Sequence, residues 1–157
     1  MSFAVDTNVL LDVLLPNPAH AETSQKLLED SLQKGALLIG EVVYGELAVE
    51  FPTADELDQF LSDTGIRLIN TGKDGLKRAS EAWSSYLEKR GTAIQCQVCG
   101  QEQTVSCSEC GEVIQVRQHM LSDFLVAGHA LEHADKLITR DLGFYRSYFE
   151  DLTILSP

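Results

Sequence analysis

Four cysteines fall between positions 96 and 110 as Cys96-x2-Cys99-x7-Cys107-x2-Cys110, and a glycine follows each pair at once, Gly100 and Gly111. A CxxC turn lets two thiolates converge on one ion while neighbouring amides point at the sulfurs, and the glycine accepts the left-handed backbone of such a knuckle. Four thiolates complete a tetrahedral shell with no open position, which is structural zinc rather than catalysis. The x7 gap is shorter than the commoner ribbon spacing, so a tight hairpin must join the knuckles, with Val113-Ile114-Gln115-Val116 as its return strand. Two disulfides or a redox pair are the rival readings. An intracellular chain opposes the first and the paired Cys-Gly repeats oppose the second.

A second set of chemistry-bearing residues is acidic and dispersed: Asp6, Glu46, Asp123 and Asp141. Each has an ordinary explanation, Asp123 and Asp141 as helix caps, Asp6 as a turn residue and Glu46 as a solvated helix position. Their shared placement, where strands end or helices begin, gives another. In an open parallel sheet ligands gather at the carboxyl ends of the strands, and at least three of the acids map there. Clustered carboxylates stay ionised together only beside a cation, so the set predicts Mg2+ or Mn2+, hard ions that take oxygen ligands.

The elements that must carry these residues alternate. Phe3-Ala4-Val5 reads as a strand stopping at Asp6, with Thr7 or Asn8 capping a helix over 9–15 that Pro16 and Pro18 end. A helix over 19–34, a strand over 36–40 between glycines, and helices over 41–49 and 54–61 follow. Then come a strand over 66–69 and a long helix over 75–90 carrying Leu76, Ala79, Trp83 and Leu87. After the polar, cysteine-bearing stretch 95–118 the pattern predicts a helix over 120–133 capped by Ser122 or Asp123. A strand over 136–139, a short helix over 144–149 and a strand over 152–155 complete it. Strands buried on both faces between helices mean an α/β fold with a mostly parallel central sheet, one domain over 1–157 with an insertion at 95–118.

The opening Phe3-Ala4-Val5-Asp6-Thr7-Asn8-Val9-Leu10-Leu11 resembles the first strand and Asp-Thr-Asn of PIN domains. Leu121-Ser122-Asp123-Phe124-Leu125-Val126-Ala127-Gly128-His129-Ala130, followed by Leu137-Ile138-Thr139-Arg140-Asp141, resembles the paired C-terminal motifs of VapC-type toxins, the ribonucleases of toxin–antitoxin pairs. Val43-Tyr44-Gly45-Glu46-Leu47-Ala48 is similar to that family's helix-borne glutamate. The likeness spans nearly the whole chain except the cysteine segment, which departs from most members.

This resemblance implies a PIN-like three-layer α/β/α fold with a small zinc-binding insertion and a metal-dependent endoribonuclease cutting RNA. It makes Asp6, Glu46, Asp123 and Asp141 the metal-binding acids, with Asn8 and the Thr139 hydroxyl in support. It also implies a small antitoxin partner and a homodimer. Arg78, Arg117, His119, Arg140 and Arg146 are candidates to position the RNA backbone. His129 and His133, at i and i+4, read as surface or helix-end residues; His129 lies about 120° around the helix from Asp123 and so away from the acids.

Composition narrows the classes. Asp and Glu outnumber Lys and Arg by 24 to 12, and the net charge of −12 disfavours a protein that coats nucleic acid through a broad basic face. It suits metal cations or a basic partner, as well as plain solubility. The N-terminus has no basic stretch ahead of an apolar run and no segment reaches the length of a membrane span, so a cytoplasmic protein is expected. A non-catalytic zinc-ribbon module on a PIN scaffold, binding RNA or protein, is the competing function. A haloacid-dehalogenase-like phosphatase wants Asp-x-Asp, and position 8 is Asn8.

Overall fold

The structure, a computed structural model, describes residues 1–95, 101–114 and 119–157. The chain runs β1 (Ser2–Val5), α1 (Thr7–Leu14), α2 (Ala21–Lys34), β2 (Ala36–Ile39), α3 (Glu41–Leu47), a 3₁₀ turn (Ala48–Glu50), α4 (Ala54–Thr64), β3 (Arg67–Leu68) and α5 (Lys73–Lys89). It continues through β4 (Ile94–Gln95), β5 (Glu102–Gln103), α6 (Leu121–His133), β6 (Lys136–Ile138), α7 (Leu142–Tyr148) and β7 (Ile154–Leu155). Among the described residues no helix is long and apolar enough to cross a membrane.

Five strands form one sheet in the order β3-β2-β1-β6-β7, every neighbouring pair parallel. The expected α/β class with a parallel central sheet is the one observed. Phe3, Ala4 and Val5 are all buried, as are Leu37, Leu38 and Ile39. Successive strand residues point to opposite faces, so both faces of the sheet are covered. Removing these side chains from water stabilises the fold by about 1.5–3 kcal/mol for each large aliphatic or aromatic one.

The strand order places the site. From β1 the chain steps outward to β2 and β3, then returns to the other side of β1 as β6, so the topological switch lies between β1 and β6. Val5 is in register with Ile138, and the Asp6 amide donates to the Ile138 carbonyl at 3.0 Å. The residues that follow the two strands are thereby side by side.

Several boundaries moved. Asp6, not Thr7 or Asn8, occupies the N-cap position of α1 and makes no side-chain cap, because its carboxylate is engaged elsewhere. α6 starts after Met120, with neither Ser122 nor Asp123 as cap residue; Asp123 instead reaches back from the first turn to the Met120 amide at 2.9 Å. α7 begins at Leu142, earlier than expected, because the Asp141 side chain caps it by accepting from the Phe144 amide.

The cysteine stretch forms its own two-stranded antiparallel ribbon, β4 with β5. Of the expected return strand, Val113 makes only a single bridge to Ser106 and the Ile114 amide donates to Val105; Gln115 and Val116 lie outside the described residues. So do Cys96, Cys99, Gly100 and Arg117.

Candidate active site

Asp6 sits at the end of β1 with 8% of its surface exposed. Its Oδ2 accepts from the Thr139 hydroxyl at 2.6 Å, from Asn8 Nδ2 at 2.7 Å and from the Tyr145 hydroxyl at 3.3 Å. Asn8 Nδ2 also reaches the Thr139 hydroxyl oxygen at 3.2 Å. These donors are all neutral. Burial pushes the Asp6 carboxyl above its ordinary range, the hydrogen bonds from Thr139, Tyr145 and the Thr7 amide oppose this, and the Glu46 charge adds to the rise.

The other three acids surround this centre without closing on it. Glu46, exposed on α3, accepts a hydrogen bond from the Thr7 hydroxyl. Asp123 is half-buried on α6 and Asp141 is exposed after β6, their carboxylates turned to the helix amides described above. Tyr145 registers three of the four acids: burial, then the charges of Asp6 and Asp123, then its bond to Asp6 and the charge of Asp141, push its phenol well above its ordinary value. It therefore remains a proton donor across the physiological range. Among the described residues no three His, Cys, Asp or Glu side chains lie close enough together to hold a metal ion.

The donor set nevertheless fits a hard divalent cation. It offers carboxylate, hydroxyl and carboxamide groups, and among the described residues the buried Asp6 carboxyl meets only neutral side-chain donors.

Residues after β6 complete the floor. The Thr139 hydroxyl, fully buried, donates to Asp6 and accepts from the Asp141 amide at 3.0 Å, and the Arg140 amide donates to Asn8 Oδ1 at 3.2 Å. Asn8, Arg140 and Asp141 line an open cleft of about 300 Å3. Arg140 Nε lies 2.9 Å from Asp12 Oδ2, and Asp12, buried at 2% exposure, also accepts from the Ser24 hydroxyl at 2.7 Å. Tyr145 and Asp12 escaped the sequence reading. The one signal for Asp12 is its charge inside an apolar run; nothing local marks Tyr145.

The remaining candidates are elsewhere. Arg78 forks onto Asp151 at 2.7 and 2.9 Å, on the surface. His119 packs among Tyr86, Phe144 and Tyr148, in an aromatic cluster rather than at the cleft. His129 is not a surface residue: it is 3% exposed, against Gly40, where a Cβ would lie 3.0 Å from the ring. α6 is covered by α5 on one side and the sheet on the other, so a position turned away from the acids is still interior. His133 is half-buried, its Nε2 3.1 Å from the Asn70 carbonyl.

In the ribbon, the half that is described has a knuckle's geometry. Gly111 has φ +78°, its amide donates to the Cys107 carbonyl at 2.9 Å, and the Cys107 amide donates to Glu112 at 2.8 Å. The Cys110 and Glu109 amides, then the Cys110 side chain, draw the Cys107 thiol below its ordinary value. Cys107 and Cys110 are free thiols, not bonded to each other.

This chain belongs to the PIN domain family, whose sequence profile matches residues 3–150. Its fold is similar to VapBC2 from Rickettsia felis bound to a DNA fragment from its promoter, with TM-score 0.62 and 18% identity over 99% of this chain and 98% of that one. VapBC-1 from nontypeable Haemophilus influenzae gives 0.62 and 16% over 99% and 98%. A toxin–antitoxin complex from Klebsiella pneumoniae gives 0.55 and 16% over 97% and 94%. No curated protein sequence matches the chain.

Proposed function

We propose that the protein is a divalent-metal-dependent endoribonuclease, the toxin of a toxin–antitoxin pair, acting in the cytoplasm as a homodimer. One observation carries this reading: the Asp6 carboxylate is buried at the sheet's switch point, held among the described residues by neutral side-chain donors, with Glu46 adding negative charge. Such a site is electrostatically incomplete without a cation. Asp6, Glu46, Asp123 and Asp141 would hold Mg2+ or Mn2+, whose bound chemistry would be to lower the pKa of a water and to neutralise charge on the scissile phosphate.

The chain's own residues do the positioning. Thr139, Asn8 and Tyr145 fix the direction of the Asp6 carboxylate, and the Thr7 hydroxyl holds Glu46 toward the same end of β1. Asp141 and Asn8 face the open cleft in which a strand can lie.

A small basic antitoxin suits the net charge of −12, and a complex is what the Klebsiella neighbour's description records for that protein. We assign Cys96, Cys99, Cys107 and Cys110 to structural Zn2+, supported by the Cys107–Gly111 knuckle and by the repeat of its spacing in the first pair.

Purified protein is expected to cut RNA with Mg2+ or Mn2+. Asp6→Asn or Asp123→Asn should lower the rate about a hundredfold or more, the scale of losing a charge-stabilising group. Unchanged cleavage in both variants refutes the assignment. The competing reading, a non-catalytic module, draws on the absence of a closed three-acid cluster among the described residues. It predicts zinc at the cysteines with no Mn2+ bound at the acids.

A further inference from the structure

Among the described residues, the groups gathered around Asp6 offer nothing positive to a polyanionic strand. Arg140 follows Thr139 directly, and its backbone is pinned by the Asn8 side chain at 3.2 Å. Its side chain leaves this point toward Asp12. Nε is buried 2.9 Å from Asp12 Oδ2, an ion pair without the alignment of a hydrogen bond. Asp12 is in turn fixed by Ser24 and by Asn17 Nδ2 at 3.4 Å. The guanidinium is thus held by its inner edge.

Yet 34% of the Arg140 side chain remains exposed, and neither Nη group donates a hydrogen bond among the described residues. The residue lines the cleft of about 300 Å3 together with Asn8 and Asp141. Arg78, by contrast, points its Nη2 at both carboxylate oxygens of Asp151 and does not line this cleft. A planar fork anchored at one edge, with free donors beside the candidate metal acids, matches the needs of phosphate recognition.

We infer that Arg140 is a phosphate-binding residue for the RNA strand, and that Asp12 is the positioning residue that aims it. The inference rests on the nuclease reading for the identity of the strand. A buried carboxylate such as Asp12 costs stability unless paired, and the pairing here is spent on direction: it removes the rotational freedom of a long side chain before the strand arrives. Lysine could supply the charge but neither the fork nor the anchored edge.

The test is binding of a labelled single-stranded RNA in chelator, where no metal-dependent cutting intervenes, as a function of salt. Arg140→Ala should weaken binding about tenfold, the worth of one hydrogen-bonded phosphate contact. It should also flatten the salt dependence by about 0.7 in log–log slope, the value for one phosphate on a single strand. Arg140→Lys should keep the slope and recover only part of the affinity. Asp12→Asn should lose affinity several-fold with the slope unchanged.

A phosphate contact predicts equal losses on two RNAs of unrelated sequence. Wild-type affinity and slope in Arg140→Ala overturn the inference, and so does a loss confined to one sequence. Full affinity in Asp12→Asn overturns the role given to Asp12. Should Arg140→Ala fail to fold for want of a partner for Asp12, the double variant Asp12→Asn/Arg140→Gln removes both buried charges and is read the same way. Failure of the nuclease reading shows separately, as wild-type protein that binds RNA but does not cut it when Mn2+ is restored.

Discussion

Asp6 and Tyr145 are 139 residues apart and share one hydrogen bond, Tyr145 hydroxyl to Asp6 Oδ2. That bond shows why the acids were legible in the sequence while their support was not. A carboxylate after a strand announces itself by type and position; a tyrosine in a short aromatic helix looks like core, and it is core as well, at 2% exposure. Tyr145→Phe keeps the packing and removes one of the three side-chain donors to Asp6. A bond to a charged group is worth about 1.5–3 kcal/mol. The variant should therefore fold normally and cut RNA roughly ten- to hundredfold more slowly; cleavage at the wild-type rate would remove Tyr145 from the site. His129 carries a different lesson. Its angular separation from Asp123 was readable, its burial was not, because burial depends on Gly40, distant in sequence, lying against that side of α6. Burial, then the neighbouring His133, lowers its pKa, against the Ile69 backbone, Glu41 and Glu132, which raise it. A histidine held neutral in the fold contributes stability above its unfolded pKa of about 6.5 that is lost as pH falls through the folded value. Wild-type melting temperature should thus drop more between pH 7.5 and pH 5 than that of His129→Gln; parallel curves would show that the ring is not held neutral.

α6 is the element on which the site depends most, since it carries Asp123 and packs on both β1 and α5. Its crossing with α5 is set by two small residues. A Cβ on Gly128 would overlap the Gly75 carbonyl oxygen and lie 3.1 Å from Ala79 Cβ. Glu132, one turn on, accepts from the Gly72 and Gly75 amides at 2.8 and 3.0 Å and so satisfies the open N-terminus of α5. The two helices are locked at a backbone-to-backbone distance that no side chain can enter. Gly128→Ala should destabilise the protein by about 3 kcal/mol, the upper end for overpacking, because the obstacle is backbone rather than a flexible side chain. Denaturant unfolding would measure it, and a change within about 0.5 kcal/mol, typical of a neutral surface site, would contradict the packing described. The sequence marked these helices by their apolar period but not their contact, since a glycine in a helix reads there only as a weak spot. It placed β1, β2 and β6 within a residue or two, as both-face burial leaves apolar runs at Phe3-Ala4-Val5 and Ala36–Ile39 and the apolar pair Leu137-Ile138 in β6. β3 shrank to Arg67–Leu68, both exposed, because an edge strand needs only enough length to complete the pairing with β2.

At the scale of the whole chain, the cysteine segment interrupts a fold that is otherwise continuous. α5 and α6 run antiparallel: Gly75 near the start of α5 meets Gly128 in the second half of α6, while Tyr86 near the end of α5 meets Phe124 and His119 at the start of α6. The two ends that the segment joins are therefore close, with the His119 amide 3.3 Å from the Tyr86 hydroxyl. A connection of the ordinary helix–helix length, about two to eight residues, would bridge them. Among the described residues nothing in the central sheet pairs with the ribbon, whose strands β4 and β5 pair with each other. On the proposed function the two donor sets would serve separable parts: thiolates for a metal in the ribbon, carboxylates for a harder cation in the cleft. Wild-type protein should carry one zinc per chain, and Cys107→Ser should release it, yet Cys107→Ser should melt within a few degrees of wild type and retain Mn2+-dependent cleavage. Replacing residues 95–118 by about four Gly and Ser residues should do the same, given how near the helix ends lie. A cooperative transition lost in both variants would mean that the ribbon braces the α5–α6 end of the fold, and that the zinc is part of the protein's core stability rather than an appendage to it.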